Sequence, residues 1–201
     1  AFNEGEDLHR FVGSRIFGVE PAEVSGEQRS KVKAMSYGLA YGLSAFGLAK
    51  QLNLSGPEAR QLMEDYFDRF GGVRDYLRRV VEQAKVDTYT ETIFGRRRPF
   101  PDLASPNRTL RANAERAALN APIQGSAADI IKIAMSRIEQ RMREADLGSR
   151  MLLQIHDELM FEVASGEWDA LEAIVREEMG GAAELSVPLE VQVGRGPNWN
   201  A

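Results

Sequence analysis

Along most of the first hundred residues, apolar positions recur at helical spacing; towards the end of the chain the period shortens to two. Ser25-Gly26-Glu27-Gln28 reads as a capping box that opens a helix running to about Tyr41. Ser55-Gly56-Pro57-Glu58 opens another, with proline in the first turn, and carries it through Phe70. Gly71-Gly72 is expected to stop that helix, and Val73 to about Val86 forms a third amphipathic stretch. "TYTETI", Thr88 to Ile93, alternates like a short strand. A helix from about Asn107 is expected to break near Pro122, which lacks a backbone donor, and to resume at Ser126. Ile131, Met135, Ile138 and Met142 then line one face. Met151–Ile155 and Leu159–Val163 read as two strands around His156, Asp157 and Glu158. A helix over about 167–179 follows, with Trp168, Leu171, Val175 and Met179 inward and Gly180-Gly181 at its end; "LEVQV", 189–193, alternates as a last strand. Helices followed by a helix-covered antiparallel sheet make an α+β chain.

Composition narrows the chemistry. The chain has 201 residues, 43% hydrophobic and 27% charged, which is enough for a real core and ordinary for a globular protein. No apolar run reaches membrane-spanning length, and no signal peptide opens the sequence. Cysteine is absent, excluding disulfides and thiolate metal sites; a reducing cytoplasmic setting is expected. With only His9 and His156 present, a metal would be held chiefly by oxygen, favouring magnesium or manganese. Net charge is −5, yet cations cluster locally at Arg29, Lys31 and Lys33, at Arg96–Arg98, and at Arg108, Arg111 and Arg116. Phosphate contacts are local, so an acidic chain with such patches remains able to bind nucleic acid.

Three groups of residues stand out. On a helical wheel Arg29, Lys33, Tyr37 and Tyr41 advance by roughly 40° each, while Val32, Met35 and Leu39 fall together on the opposite side as a core face. Two cations and an aromatic ring on one stripe suit a triphosphate with its base or sugar; the same stripe also reads as a solvated face with a partly packed tyrosine. Arg116, Asn120 and Gln124 step by four and offer donors suited to base edges and sugars, or serve as plain surface polars. The adjacent Asp157 and Glu158 repel one another, and apolar strands are a costly place to desolvate them. A divalent cation would stabilise the pair, as in two-metal phosphoryl transfer.

In their order along the chain these groups resemble family A DNA polymerases, the DNA polymerase I type. "RSKVKAMSYGLAYG" is similar to that family's motif B and "QIHDELMFEV" to its motif C; "AERAALNAPIQGSAADIIK" looks like the segment between them. "TETIFGRRRPFPDL" and "VPLEVQVGRGPNW" add to the likeness, which covers essentially the whole chain. The family's motif A aspartate, "DYSQIELR" or similar, is not found.

The resemblance implies a helical fingers-like region over 1–105 and a palm-like region over 106–201. It implies primer-template DNA and deoxynucleoside triphosphates as partners, magnesium (manganese possible) as cofactor, and attack of a primer 3′-OH on the α-phosphate. By the same resemblance Asp157 and Glu158 are the metal carboxylates; Arg29, Lys33 and His9 hold the triphosphate, and Lys33 protonates the departing pyrophosphate. Tyr37 lies against the nucleotide, Tyr41 at the template base, and Arg116, Asn120, Gln124 and His156 along the primer-template. The expectation is a C-terminal polymerase fragment, monomeric with the upstream part of the same enzyme, cytoplasmic and nucleoid-associated, and inactive alone for want of motif A. A non-catalytic nucleotide- or DNA-binding module is the alternative.

Overall fold

The computed structural model describes residues 7–40 and 42–198. The chain packs as two compact units, 1–124 and 125–201, divided inside one long helix; the expected boundary at 105/106 lies ahead of that helix.

In the first unit, α1 (Leu8–Phe17) is capped by Asp7 and ends at left-handed Gly18. A 3-10 turn at Pro21–Glu23 leads to α2 (Gly26–Ala40). The predicted box is present: Gln28 N–H donates to Ser25 Oγ at 3.2 Å, and Ser25 N–H donates to Gln28 Oε1 at 2.8 Å. α3 (Ala45–Leu52) is capped by Ser44, and α4 (Gly56–Arg69) by the predicted Ser55–Glu58 box. Val32 and Met35 are completely buried and Leu39 nearly so, with Val12, Leu48, Ala59 and Tyr66 around them. The wheel therefore assigned the core face correctly, and each fully buried side chain contributes about 1.5–3 kcal/mol.

Gly71-Gly72 does not stop α4. Phe70 breaks it, with φ −123° and ψ 49°, and the glycines begin α5 (Gly71–Asp87). Phe70 N–H still reaches Tyr66 O at 2.8 Å, and Val73 N–H reaches Phe70 O at 3.0 Å, so one residue serves both helices. "TYTETI" supplies only half of its element: β1 (Tyr89–Glu91) pairs antiparallel with β2 (Arg97–Pro99), which overlaps the end of the basic run. Arg97 pairs with Glu91 at 2.8 Å and covers the Tyr89 ring, and Arg98 covers Phe100. A 3-10 turn at Pro101–Ala104 precedes α6 (Arg108–Glu144). Ala84, Phe100, Leu103, Ala114, Ala118 and Ala121 form a second core.

α6 corrects the expected break, because Pro122 lies within it. Proline removes one donor from a ladder of more than thirty residues, and the bonds on both sides hold the helix through it.

The second unit begins at Gly125. Here Ala134, Ile138 and Met142 of α6 pack against Leu171, Ile174 and Val175 of α7 (Trp168–Gly180). Arg141 donates to Glu177 at 3.2 Å and Glu178 at 2.8 Å, which ties α7 to α6. β3 (Arg150–Ile155) and β4 (Glu158–Glu162) form an antiparallel hairpin. Residues 189–193 are not a strand. Val191 packs on the core and its carbonyl accepts from Arg176 at 2.7 Å. Alternation describes a half-buried extended segment, whereas a strand also needs a hydrogen-bonded neighbour.

Candidate functional site

The candidate stripe of the first unit is built on the α1 N-terminus and on α2. Lys33 is exposed and has no ion pair among the described residues. Tyr37 is 53% exposed, and its ring meets His9 edge-on at 5.8 Å between centroids. Arg29 is half-buried and turned to one side, where Nε donates to Asp7 Oδ2 at 2.9 Å and Nη2 approaches the same oxygen at 2.8 Å. Asp7 Oδ1 meanwhile accepts from the backbone N–H groups of His9 at 2.9 Å and Arg10 at 3.0 Å. The Arg29 hydrogen bond and the cap hold the Asp7 carboxyl below its usual value. Burial favours neutral His9, reinforced by Arg29 and Lys33 and opposed by Asp7, and its Nδ1 is buried with no partner among the described residues. Four of the expected nucleotide residues are thus gathered at one place in this unit. Tyr41 lies outside the described residues. Asp7, which joins the group, was missed; its legible signal was Asp7-Leu8-His9, a cap ahead of an apolar repeat.

Gly38 and Gly42 each have a structural reason. A Cβ on Gly38 would come within 2.6 Å of Leu43, so α2 admits no larger residue there without a shift. Gly42 is left-handed at φ 69°, its N–H donates to Leu39 O at 3.0 Å, and Leu43 N–H donates to Gly38 O at 2.7 Å. These two bonds are a Schellman end for α2.

Arg116, Asn120 and Gln124 advance along α6 away from its buried Ala114, Ala118 and Ala121, leaving Arg116 and Gln124 exposed. Arg116 donates to Asn113 Oδ1 at 2.5 Å and stands in a cleft of about 320 Å³ with Gly42, Val81, Ala112, Glu115 and Leu119.

In the second unit, His156 and Asp157 are the two loop residues of the β3–β4 hairpin, because Ile155 pairs with Glu158. Glu158 therefore begins a strand and is not part of the turn. His156 has φ 54°, a region costly for any residue with a Cβ though less foreign to histidine than to most, and Gln154 donates to its carbonyl at 2.8 Å. His156, Asp157 and Glu158 are all exposed, as are Leu152 and Leu153 of β3. The feared desolvation of adjacent carboxylates does not arise, since the tip stands in water. The hairpin base is rigid: Glu167 accepts from Gly148 and Ser149 N–H at 2.9 Å each and from Ser149 Oγ at 2.6 Å. Those donors hold the Glu167 carboxyl below its usual value. Among the described residues no three His, Asp or Glu side chains converge to hold a metal ion by themselves.

A motif B-like stripe, an amide series and a rigid His-Asp-Glu hairpin on one chain correspond to a recognised family. The description "DNA polymerase family A" matches residues 1–201. The chain belongs to that family. DNA polymerase I of Mycobacterium tuberculosis is 65% identical over 201 residues, all of this chain and 22% of that protein. The enzyme of Mycobacterium leprae is 63% identical over the same span. A solved structure of the POL domain of Pol1 from M. smegmatis, in complex with DNA primer-template and dNTP, superposes with a TM-score of 0.96 at 64% identity; it covers all of this chain and 35% of that one. The chain thus spans about a fifth of the length of its curated family A relatives. The α+β reading agrees with this likeness. No described helix is long and apolar enough to cross a membrane.

Proposed function

We propose that this chain is part of a DNA polymerase I-type enzyme and carries the nucleotide-handling and primer-template-handling residues of template-directed DNA synthesis. The observation that bears most weight is the gathering of Arg29, Lys33, His9 and Tyr37 at one exposed place in a chain of this family. The relative from M. smegmatis, solved with primer-template and dNTP, supports the same partners.

On this reading the Arg29 fork and the Lys33 ammonium bind the triphosphate oxygens, the guanidinium as a directional donor and the amine as a mobile point charge. Lys33, unpaired among the described residues, is suited to pass a proton to the departing pyrophosphate oxygen. His9 adds a nitrogen at the same anion, and Tyr37 offers its ring to the sugar and base. Tyr41 serves the template base; Arg116, Asn120, Gln124 and His156 bind the primer-template. The carboxylates of Asp157, in the hairpin turn, and Glu158, at the start of β4, are exposed hard oxygen donors, a set that fits magnesium or manganese. Magnesium commonly takes one or two carboxylates and completes its shell with waters and substrate phosphates. When bound, the ion supplies neutralisation of charge on the transferring phosphoryl group. Because the motif A aspartate is not found in the sequence, the 201-residue chain alone should bind nucleotide or DNA and not extend a primer. Binding without catalysis is the second reading.

The deciding experiment uses the complete enzyme. Asp157→Ala should lower kcat on the order of a thousandfold or more while primer-template affinity stays within a few-fold, because phosphate contacts are spread over many residues. A near-normal kcat, or a variant that fails only in DNA binding, would overturn the catalytic assignment.

A further inference from the structure

We propose that Asp7 is a positioning residue of the triphosphate site, one carboxylate that orients Arg29 and sets the helical turn presenting His9. The inference rests on the nucleotide-site reading above. Both oxygens of Asp7 are engaged, in two directions. Oδ1 takes the His9 and Arg10 N–H groups at 2.9 and 3.0 Å, and Oδ2 takes Arg29 Nε at 2.9 Å and Nη2 at 2.8 Å. The start of α1 is thereby tied to the cation-bearing face of α2. A second tie, Arg10 Nη1 to Val24 O at 3.0 Å, anchors α1 to the segment leading into α2.

The clamp occupies one edge of the Arg29 guanidinium. Nη1 and the outer hydrogen of Nη2 have no bond among the described residues and remain directed donors for phosphate. An arginine on an open helix face samples many rotamers, and freezing one on binding weakens affinity by about three- to tenfold. Asp7 removes that freedom beforehand. His9 is set by the same carboxylate, and its buried Nδ1 beside Tyr37, with no partner among the described residues, is a polar atom in want of a ligand. Lys33 has no such restraint, so one cation is held and the other is mobile. The Asp7 charge also opposes an incoming anion; the proposal is that ordering outweighs this repulsion.

Asp7→Asn separates the two duties. Asparagine caps a helix as well as aspartate, so α1 is retained, but its amide does not take the guanidinium fork as a carboxylate does. In the complete enzyme, Asp7→Asn should raise the KM for deoxynucleoside triphosphates about five- to tenfold with a smaller change in kcat, unchanged primer-template affinity and a single cooperative melting transition retained. Asp7→Glu should recover part of the loss. Combined with Arg29→Ala it should add nothing further, a non-additivity that a merely structural residue would not produce. If Asp7→Asn left KM unchanged while Arg29→Ala raised it, the positioning role would fail and the nucleotide site would stand. A lowered KM would likewise overturn it, making the carboxylate a competitor for Arg29. If Arg29→Ala itself left KM unchanged, the nucleotide-site reading would fall first.

Discussion

His156 sits at φ 54° between two paired strands, so the hairpin tip holds a side chain where glycine would be relaxed. Strain of this kind persists where a side chain is needed, and it points to His156 as a contact residue more firmly than its place in the motif does. His156→Gly should stabilise the protein by up to about 1 kcal/mol, read as a higher Tm, because relief of the left-handed Cβ exceeds the entropy glycine adds to the unfolded chain. The same variant of the complete enzyme should bind primer-template less tightly. Tyr37 gives a second test. Its hydroxyl has no hydrogen bond among the described residues and its ring is half exposed, leaving it available to the nucleotide. A dideoxynucleotide lacks the 3′-OH, and the Tyr37 hydroxyl can stand in for it. Tyr37→Phe should therefore increase discrimination against dideoxynucleotides by about tenfold or more, leaving ordinary synthesis in place. Equal selectivity ratios in competition assays would refute this.

Among the elements, α2 shows how much depends on its end. The Schellman bonds require Gly42 to be left-handed, and a Cβ there would lie 3.3 Å from Arg116 Cγ. Gly42→Ala should cost about 1–2 kcal/mol from backbone conformation alone, measured by urea denaturation. It should also disturb Arg116, on the proposed primer-template face. The capping boxes were legible because they are local: four consecutive residues carry donor and acceptor together. The Phe70 junction, the continuity of α6 through Pro122 and the β2 strand were not. Phe70 breaks its helix while packing on the first core, β2 is defined by pairing across a turn with β1, and α6 is long enough to tolerate one missing bond. Residues 189–193 show the converse, a clean alternation for which no described strand provides a ladder.

For the molecule as a whole, the shifted groups set its response to acid. Burial lowers the pKa of His9 from its usual 6.5, so the unfolded chain takes up that proton first. The contribution of neutral His9 is thus full above pH 6.5 and lost as pH falls through the depressed value. Asp7 and Glu167 are lowered by their donors from 3.8 and 4.5 respectively, so their contributions are complete above those values and disappear at still lower pH. Urea titrations should show stability declining first below pH 6.5 and again below about pH 4. His9→Gln should remove the first step and Asp7→Asn part of the second.

What the sequence by itself determined was periodicity and local bonding: the buried face of α2, the caps, the α+β class and the grouping of candidate residues by helical step. Each follows from residues within one or two turns of one another, or from alternation along a strand. Only the tertiary structure decided that Asp7 reaches twenty-two residues along the chain to hold Arg29, that His9 is shielded beside Tyr37, and that Glu167 secures the hairpin base. It also decided that Asp157 and Glu158 stand in water and not among the apolar residues that flank them. Hydrogen bonds and solvent exposure depend on which distant segments fold onto a residue, and a linear pattern carries no record of those neighbours.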